Sequence, residues 1–172
     1  MATVRHTSGP GHARLAAALA ELGKTQGRVG WFASAQYPDG TPVAYVAAIQ
    51  EFGYAPKGIT PRMGLRPMAD REKPNWSKVV EQGVKQILDG RSTGAEVMNL
   101  IGGVAEAAIR KQITSVVEPL LKDTTLERRA KRMGLEDARF LTGTGAKPLV
   151  DTGHMLATVT HVVEDQGAGE KK

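Results

Sequence analysis

From Thr93 to Val117 apolar side chains return every third or fourth residue, in a run that opens on a T-x-x-E quartet at Thr93 and Glu96 and closes before Pro119. Threonine and glutamate at that spacing can satisfy each other's main-chain amides at the start of a helix. Val97, Leu100, Ile101, Val104, Ala108, Ile113, Val116 and Val117 then fall on one stripe. The ring of Pro119 disfavours helical backbone at the residue before it, which predicts the end. A helix of this length with one apolar stripe has to bury that stripe, so the chain is committed to a folded core.

The other elements follow by the same rules. Leu15, Leu19 and Leu22, with Ala18 between them, recur at helical spacing up to Gly23 and predict a first helix behind a flexible N-terminal arm, residues 1–10. From Gly27, Val29, Trp31 and Ala33 alternate with Arg28, Gly30, Phe32 and Ser34, a pattern that suits a half-buried strand. Tyr37-Pro38-Asp39-Gly40 reads as a turn. Thr41 before Pro42 reads as a capping hydroxyl ahead of a first-turn proline, so 42–52 is expected to be a short helix closed by Gly53, with a strand as the alternative.

Residues 54–74 hold four prolines and two glycines, too many for a central strand or helix, and are expected to form a long extended arm. Lys57, Arg62, Arg66, Arg71 and Lys73 outweigh Asp70 and Glu72 there, so the arm reads as a contact surface as readily as a solvated loop. Asn75 can cap a helix over 75–90 that carries Trp76, Val79, Val80, Val84, Ile87 and Leu88 on one face. A second quartet, Thr124 with Glu127, predicts a basic helix ending at Gly134. Its cluster of Arg128, Arg129, Lys131 and Arg132 is a candidate partner-facing surface. Residues 135–150 read as irregular. Ala157, Val159, His161 and Val163 alternate with polar neighbours as a last strand, before a flexible C-terminal tail, 166–172. The expected fold class is α+β: a single domain over 11–165 with a small, mostly antiparallel sheet covered by helices and a long extended arm. A small sheet leaves edges that a neighbouring subunit can join, so the architecture leans toward an oligomer.

Composition narrows the chemistry. The chain has 172 residues, 41% hydrophobic and 24% charged, the balance of a globular protein rather than a disordered one. It contains no cysteine, which excludes disulfides, thiolate zinc sites and a cysteine nucleophile. No apolar run approaches the ~18 to 20 residues of a membrane span and the N-terminus lacks a signal-peptide core, so a soluble, unexported product without membrane contact is expected. A net charge of +5 permits an acidic partner without demanding one.

No catalytic, cofactor-binding or metal-binding set emerges. Leu149-Val150-Asp151-Thr152-Gly153 resembles the catalytic turn of retroviral-type aspartic proteases, but most of that fold lies downstream of its motif, so Asp151 is expected to cap a turn into the last strand. His6, His12, His154 and His161 have no carboxylate at a metal-ligand spacing. Gly143-Thr144-Gly145-Ala146-Lys147 lacks the ending that cradles phosphate, and Ser34, Ser77 and Ser92 lie outside a nucleophile elbow.

Four segments carry a family likeness: A-x-x-x-E-F-G at Ala47 to Gly53, the proline-arginine arm at Pro61 to Pro67, P-L-x-x-x-T at Pro119 to Thr124, and K-P-L-V-D-T-G at Lys147 to Gly153. In order and spacing, over roughly residues 29–163, the chain resembles the tail-completion, or neck, proteins of long-tailed bacteriophages. The family usually has an aromatic after the arm's first R-P pair, whereas Arg62 is followed here by Met63-Gly64-Leu65. The resemblance implies a structural virion protein, not an enzyme, that forms a ring, six-fold or twelve-fold, at the head-proximal end of the tail. The host cytoplasm would be its place of assembly, and its partners would be further copies of itself, neighbouring connector proteins and the tail tube. Genomic DNA would pass through without being tightly bound. On that reading Lys57, Arg62 and Arg66 meet acidic groups of the next subunit while Phe52, Met63, Leu65 and Met68 bury against it. The alternative is a nucleic-acid-binding module that uses the basic arm and helix.

Overall fold

The computed structural model describes residues 9–141 and 146–165. His6, the N-terminal arm up to residue 8, most of the 143–147 glycine segment and the 166–172 tail lie outside them. Six α-helices and a two-stranded antiparallel sheet make the described residues an α+β fold, in the order α1 Pro10–Leu22, β1 Thr25–Gly30, α2 Val43–Phe52, α3 Leu65–Leu88, α4 Gly94–Ser115, α5 Asp123–Arg132, α6 His154–Ala157 and β2 Thr160–Asp165. Among the described residues no helix is long and apolar enough to cross a membrane. The described residues divide into two compact units: residues 9–28, 73–105 and 161–165 in one, and 29–72 and 106–160 in the other.

In the first unit the Thr93–Glu96 quartet closes as the sequence predicts. The Thr93 amide donates to Glu96 Oε2 at 2.8 Å and the Glu96 amide donates to Thr93 Oγ1 at 3.3 Å. The amide of Gly94 adds a bond to Glu21 Oε1 at 3.2 Å, which ties α1 to the head of α4. Val97, 1% exposed, packs against Gly83, and His161 lies over Gly102 with its Nε2 3.1 Å from Asn99 Oδ1. Glycines at those points let a helix approach its neighbour more closely than a Cβ would allow.

The expected long arm is mostly helix, and this is the largest departure from the sequence reading. Within 54–74 only Tyr54 and 58–64 lie outside helix, with Ala55–Lys57 a single 3-10 turn closed by the left-handed Gly58; α3 begins at Leu65 and runs on through Pro74. Pro67 falls in the first turn, where an amide has no intrahelical acceptor to lose, so only Pro74 breaks the interior pattern. The head of the helix is held from outside, because the amides of Leu65 and Arg66 donate to Glu51 Oε2 and Oε1 at 2.8 and 3.2 Å. A carboxylate at a helix N-terminus meets both the orphan amides and the positive end of the dipole.

Smaller corrections concern element ends. The strand expected from Gly27 is displaced to Thr25–Gly30, and Trp31 leaves it to donate from Nε1 to the Met155 carbonyl at 2.8 Å. The last strand starts only at Thr160, because 154–157 forms the single turn of α6. The Thr124–Glu127 quartet does not close: α5 starts at Asp123 with Lys122 in the cap position and no side-chain cap.

The second unit centres on Val43, Ala47, Met63, Met68, Ile109, Ile113, Ala130 and Val159, all buried. Burial of a side chain such as Met63 or Ile113, both 0% exposed, stabilises the fold by about 1.5–3 kcal/mol. Polar ties fix the segments around this core. Gln112 Nε2 donates to the Met63 carbonyl at 3.0 Å, Lys147 Nζ donates to the Thr114 carbonyl near the end of α4 at 2.6 Å, and Arg110 donates to the carbonyls of Leu156 and Val159.

Candidate binding cleft

Two of the segments singled out in the sequence meet in the second unit. The α2 helix contributes Val46 and Gln50, and the 148–157 stretch contributes Pro148, Leu149, Asp151, Thr152, Gly153, His154, Met155 and Ala157. With Tyr37, Pro38 and Arg129 they line a cleft of about 660 Å³, within the usual size range of ligand sites.

Several residues of these segments have structural tasks. Ala47 is buried, Glu51 caps α3, and Gly53 turns the chain at φ 79°, where a Cβ would come within 2.8 Å of the Ile59 carbonyl oxygen. Leu149 and Val150 are buried, and Gly153, at φ 77°, occupies the cap position of α6. Asp151 does not cap that turn, contrary to the expectation. Thr152 Oγ1 accepts from the His154 amide instead, at 3.3 Å. The Asp151 carboxylate is held by the Arg132 guanidinium and by Arg129 Nε at 3.1 Å.

Arg129 departs furthest from its expected role. Rather than facing a partner it is 6% exposed, and its terminal nitrogens donate to the carbonyls of Lys147 at 2.7 Å and of Pro148 and Val150 at 3.2 Å. Burial lowers its pKa from the ordinary arginine value, Asp151 works in the opposite direction, and Arg132 and Arg62 lower it further. The hydrogen bond and charge of Asp151 raise the pKa of Arg132. Of the expected basic cluster, Arg128 and Lys131 are the exposed cations without an acidic partner among the described residues. Tyr37, half-buried at the cleft, has its phenol pKa raised by burial and then by the charges of Asp151 and Asp39. The His154 ring lies 4.9 Å from that of Tyr37, with Nε2 2.8 Å from the Gln36 carbonyl oxygen.

The expected subunit-contact residues divide into three groups. Met63 and Met68 belong to the chain's own core, at 0% and 3% exposure, and cannot anchor to a neighbour without unfolding. Arg62 and Leu65 are half-buried. Lys57, Phe52 and Arg66 stand on the surface; Phe52 is 59% exposed and carries the Arg66 guanidinium 4.4 Å above its ring. With Ala44, Tyr45 and Ala48 also exposed, the outward face of α2 has no charged side chain of its own.

Among the described residues no group of three or more His, Asp or Glu side chains is placed to hold a metal ion. No family model, curated protein or solved structure matches the chain.

Proposed function

We propose that the chain is a structural subunit of a ring at the head-proximal end of a long phage tail, completing or terminating the tail and joining it to the head. The order and spacing of the four segments support this reading. The observation that carries it is the outward face of α2, where Tyr45 and Phe52 lie exposed, 57% and 59%, on a surface to which the helix contributes no charged side chain. An exposed apolar face of this kind suits contact with another subunit, and a large aromatic under a guanidinium is the kind of anchor on which interfaces concentrate their energy. A repeated head-to-tail contact made through such a face closes into a ring when the rotation per subunit divides a full turn. A nucleic-acid module is the weaker reading, because Arg129 is buried on main-chain carbonyls and Arg132 is paired with Asp151, which leaves fewer cations for phosphate.

Electron microscopy of lysates from a phage lacking this gene tests the proposal. Filled heads and finished tails, unjoined, are expected, whereas intact particles overturn it. In complementation, Phe52→Ala with Arg66→Glu is expected to leave heads and tails separate while the purified variant unfolds at the wild-type urea midpoint. Normal particle yield from that variant removes α2 from the interface.

A further inference from the structure

The segment that joins α4 to α5 leaves apolar side chains outside the fold. Val117 is 60% and Leu120 78% exposed, Glu118 and Pro119 between them are exposed as well, and Leu121 is half-buried. None of the main-chain hydrogen bonds formed outside helices and strands among the described residues involves 117–121. A contiguous apolar strip of this kind marks a contact surface, and the fixed ring of Pro119 reduces the freedom it loses on docking.

A matching surface lies in the same unit. On the outward face of α2, Tyr45 and Phe52 are exposed, and the Arg66 guanidinium stands 4.4 Å from the centre of the Phe52 ring. Arg66 makes no side-chain hydrogen bond or ion pair among the described residues, and neither does Glu118. A guanidinium above a ring can still turn N–H donors to a carboxylate. Glu118 is the one charge in its strip, so an aromatic face edged by a cation meets an aliphatic strip that carries an anion.

Resting on the reading of α2 as a subunit contact, we propose that the 117–121 strip of one copy seats on the outward face of α2 in the next copy, with Glu118 paired to Arg66 and Leu120 against Tyr45 and Phe52. The two surfaces differ, so the contact is head-to-tail. Each added copy then offers one open surface of each kind until a ring closes.

The chain has no cysteine, so introduced thiols report this contact alone. Tyr45→Cys and Leu120→Cys, both at exposed positions, are purified, mixed and treated with a short bismaleimide. A cross-linked dimer is expected from the mixture and from neither variant by itself, and a chain carrying both substitutions is expected to give a ladder that continues past the dimer. No cross-link in the mixture, a cross-link with either variant by itself, or a ladder that stops at the dimer overturns the proposal. In sedimentation, Arg66→Glu and Glu118→Arg are each expected to weaken self-association about tenfold and, combined in one chain, to restore it. A combined variant no stronger than the single ones overturns the proposal as well. Lysates of the phage lacking the gene keep the two readings apart: unjoined heads and tails together with a mixture that does not cross-link remove this contact and leave the ring, whereas intact particles together with the expected cross-links remove the phage role and support the contact.

Discussion

Gly83 and Val97 face each other so closely that a methyl group on Gly83 would stand 2.9 Å from Val97 Cγ2 and nearer still to Cγ1. Alanine is the better helix former by about 1 kcal/mol, but overpacking a tight contact costs about 1–3 kcal/mol. Gly83→Ala is therefore expected to lower the urea midpoint, and Val97→Ala in the same chain to return part of the loss. A midpoint raised by Gly83→Ala alone means the contact has slack.

Arg129 makes a separate case. Its guanidinium is the common donor to the carbonyls of Lys147, Pro148 and Val150 and also meets Asp151. Arg129→Met leaves those carbonyls short of a donor and is expected to cost about 1–3 kcal/mol for each one left buried and unsatisfied. Lysine cannot fork and should rescue little. Asp151→Asn, at a half-exposed carboxylate, should cost far less, and chemical denaturation of the three variants checks the ranking.

Tyr37 gives the second unit an alkaline sensitivity. Its phenol pKa is raised on folding, so the folded chain holds that proton more firmly than the unfolded one. The associated stability is intact below the unfolded value, about 10, and is lost as pH rises from there through the folded value. Denaturation midpoints between pH 9 and 11 should therefore fall more steeply for the wild type than for Tyr37→Phe. Parallel curves would remove the phenol from the account.

The two T-x-x-E quartets offer a matched pair. Thr93→Ala removes a formed cap and should cost about 0.5–2 kcal/mol, whereas Thr124→Ala, at an exposed threonine whose side chain caps nothing, should stay within about 0.5 kcal/mol. Equal losses measured by thermal unfolding would contradict the difference seen between the two helix starts.

These quartets also show what the sequence can and cannot tell. The α4 helix is legible because its cap, stripe and stop are local, and so is the α+β class; at α2 the stripe and the Gly53 stop are legible, but the expected Thr41 cap does not form and Pro42 takes the cap position. The start of α3 is not legible, because its cap is Glu51, fourteen positions upstream of Leu65, and no spacing rule links the two. Four prolines over 54–74 argue for extended chain only if each falls inside an element, and Pro67 falls in a first turn. Arg129 misleads for a related reason. Among Arg128, Lys131 and Arg132 it reads as one of a solvated cluster, and only the fold turns it toward the 147–151 carbonyls. Nothing in the sequence marks Gln50 Oε1 as buried; a buried acceptor without a donor among the described residues exists only in three dimensions.

The Glu51 carboxylate has one further consequence. Because it fixes the first turn of α3 from a neighbouring helix, the two ends of the 53–64 connection are pinned independently of what lies between them. Chain added to its exposed tip at Lys57 and Gly58 would lengthen an already closed loop, and each doubling of such a loop costs only about 0.6 kcal/mol. The tip is thus a natural place for a short tag or a fluorophore, introduced without shifting the register of the helix that follows.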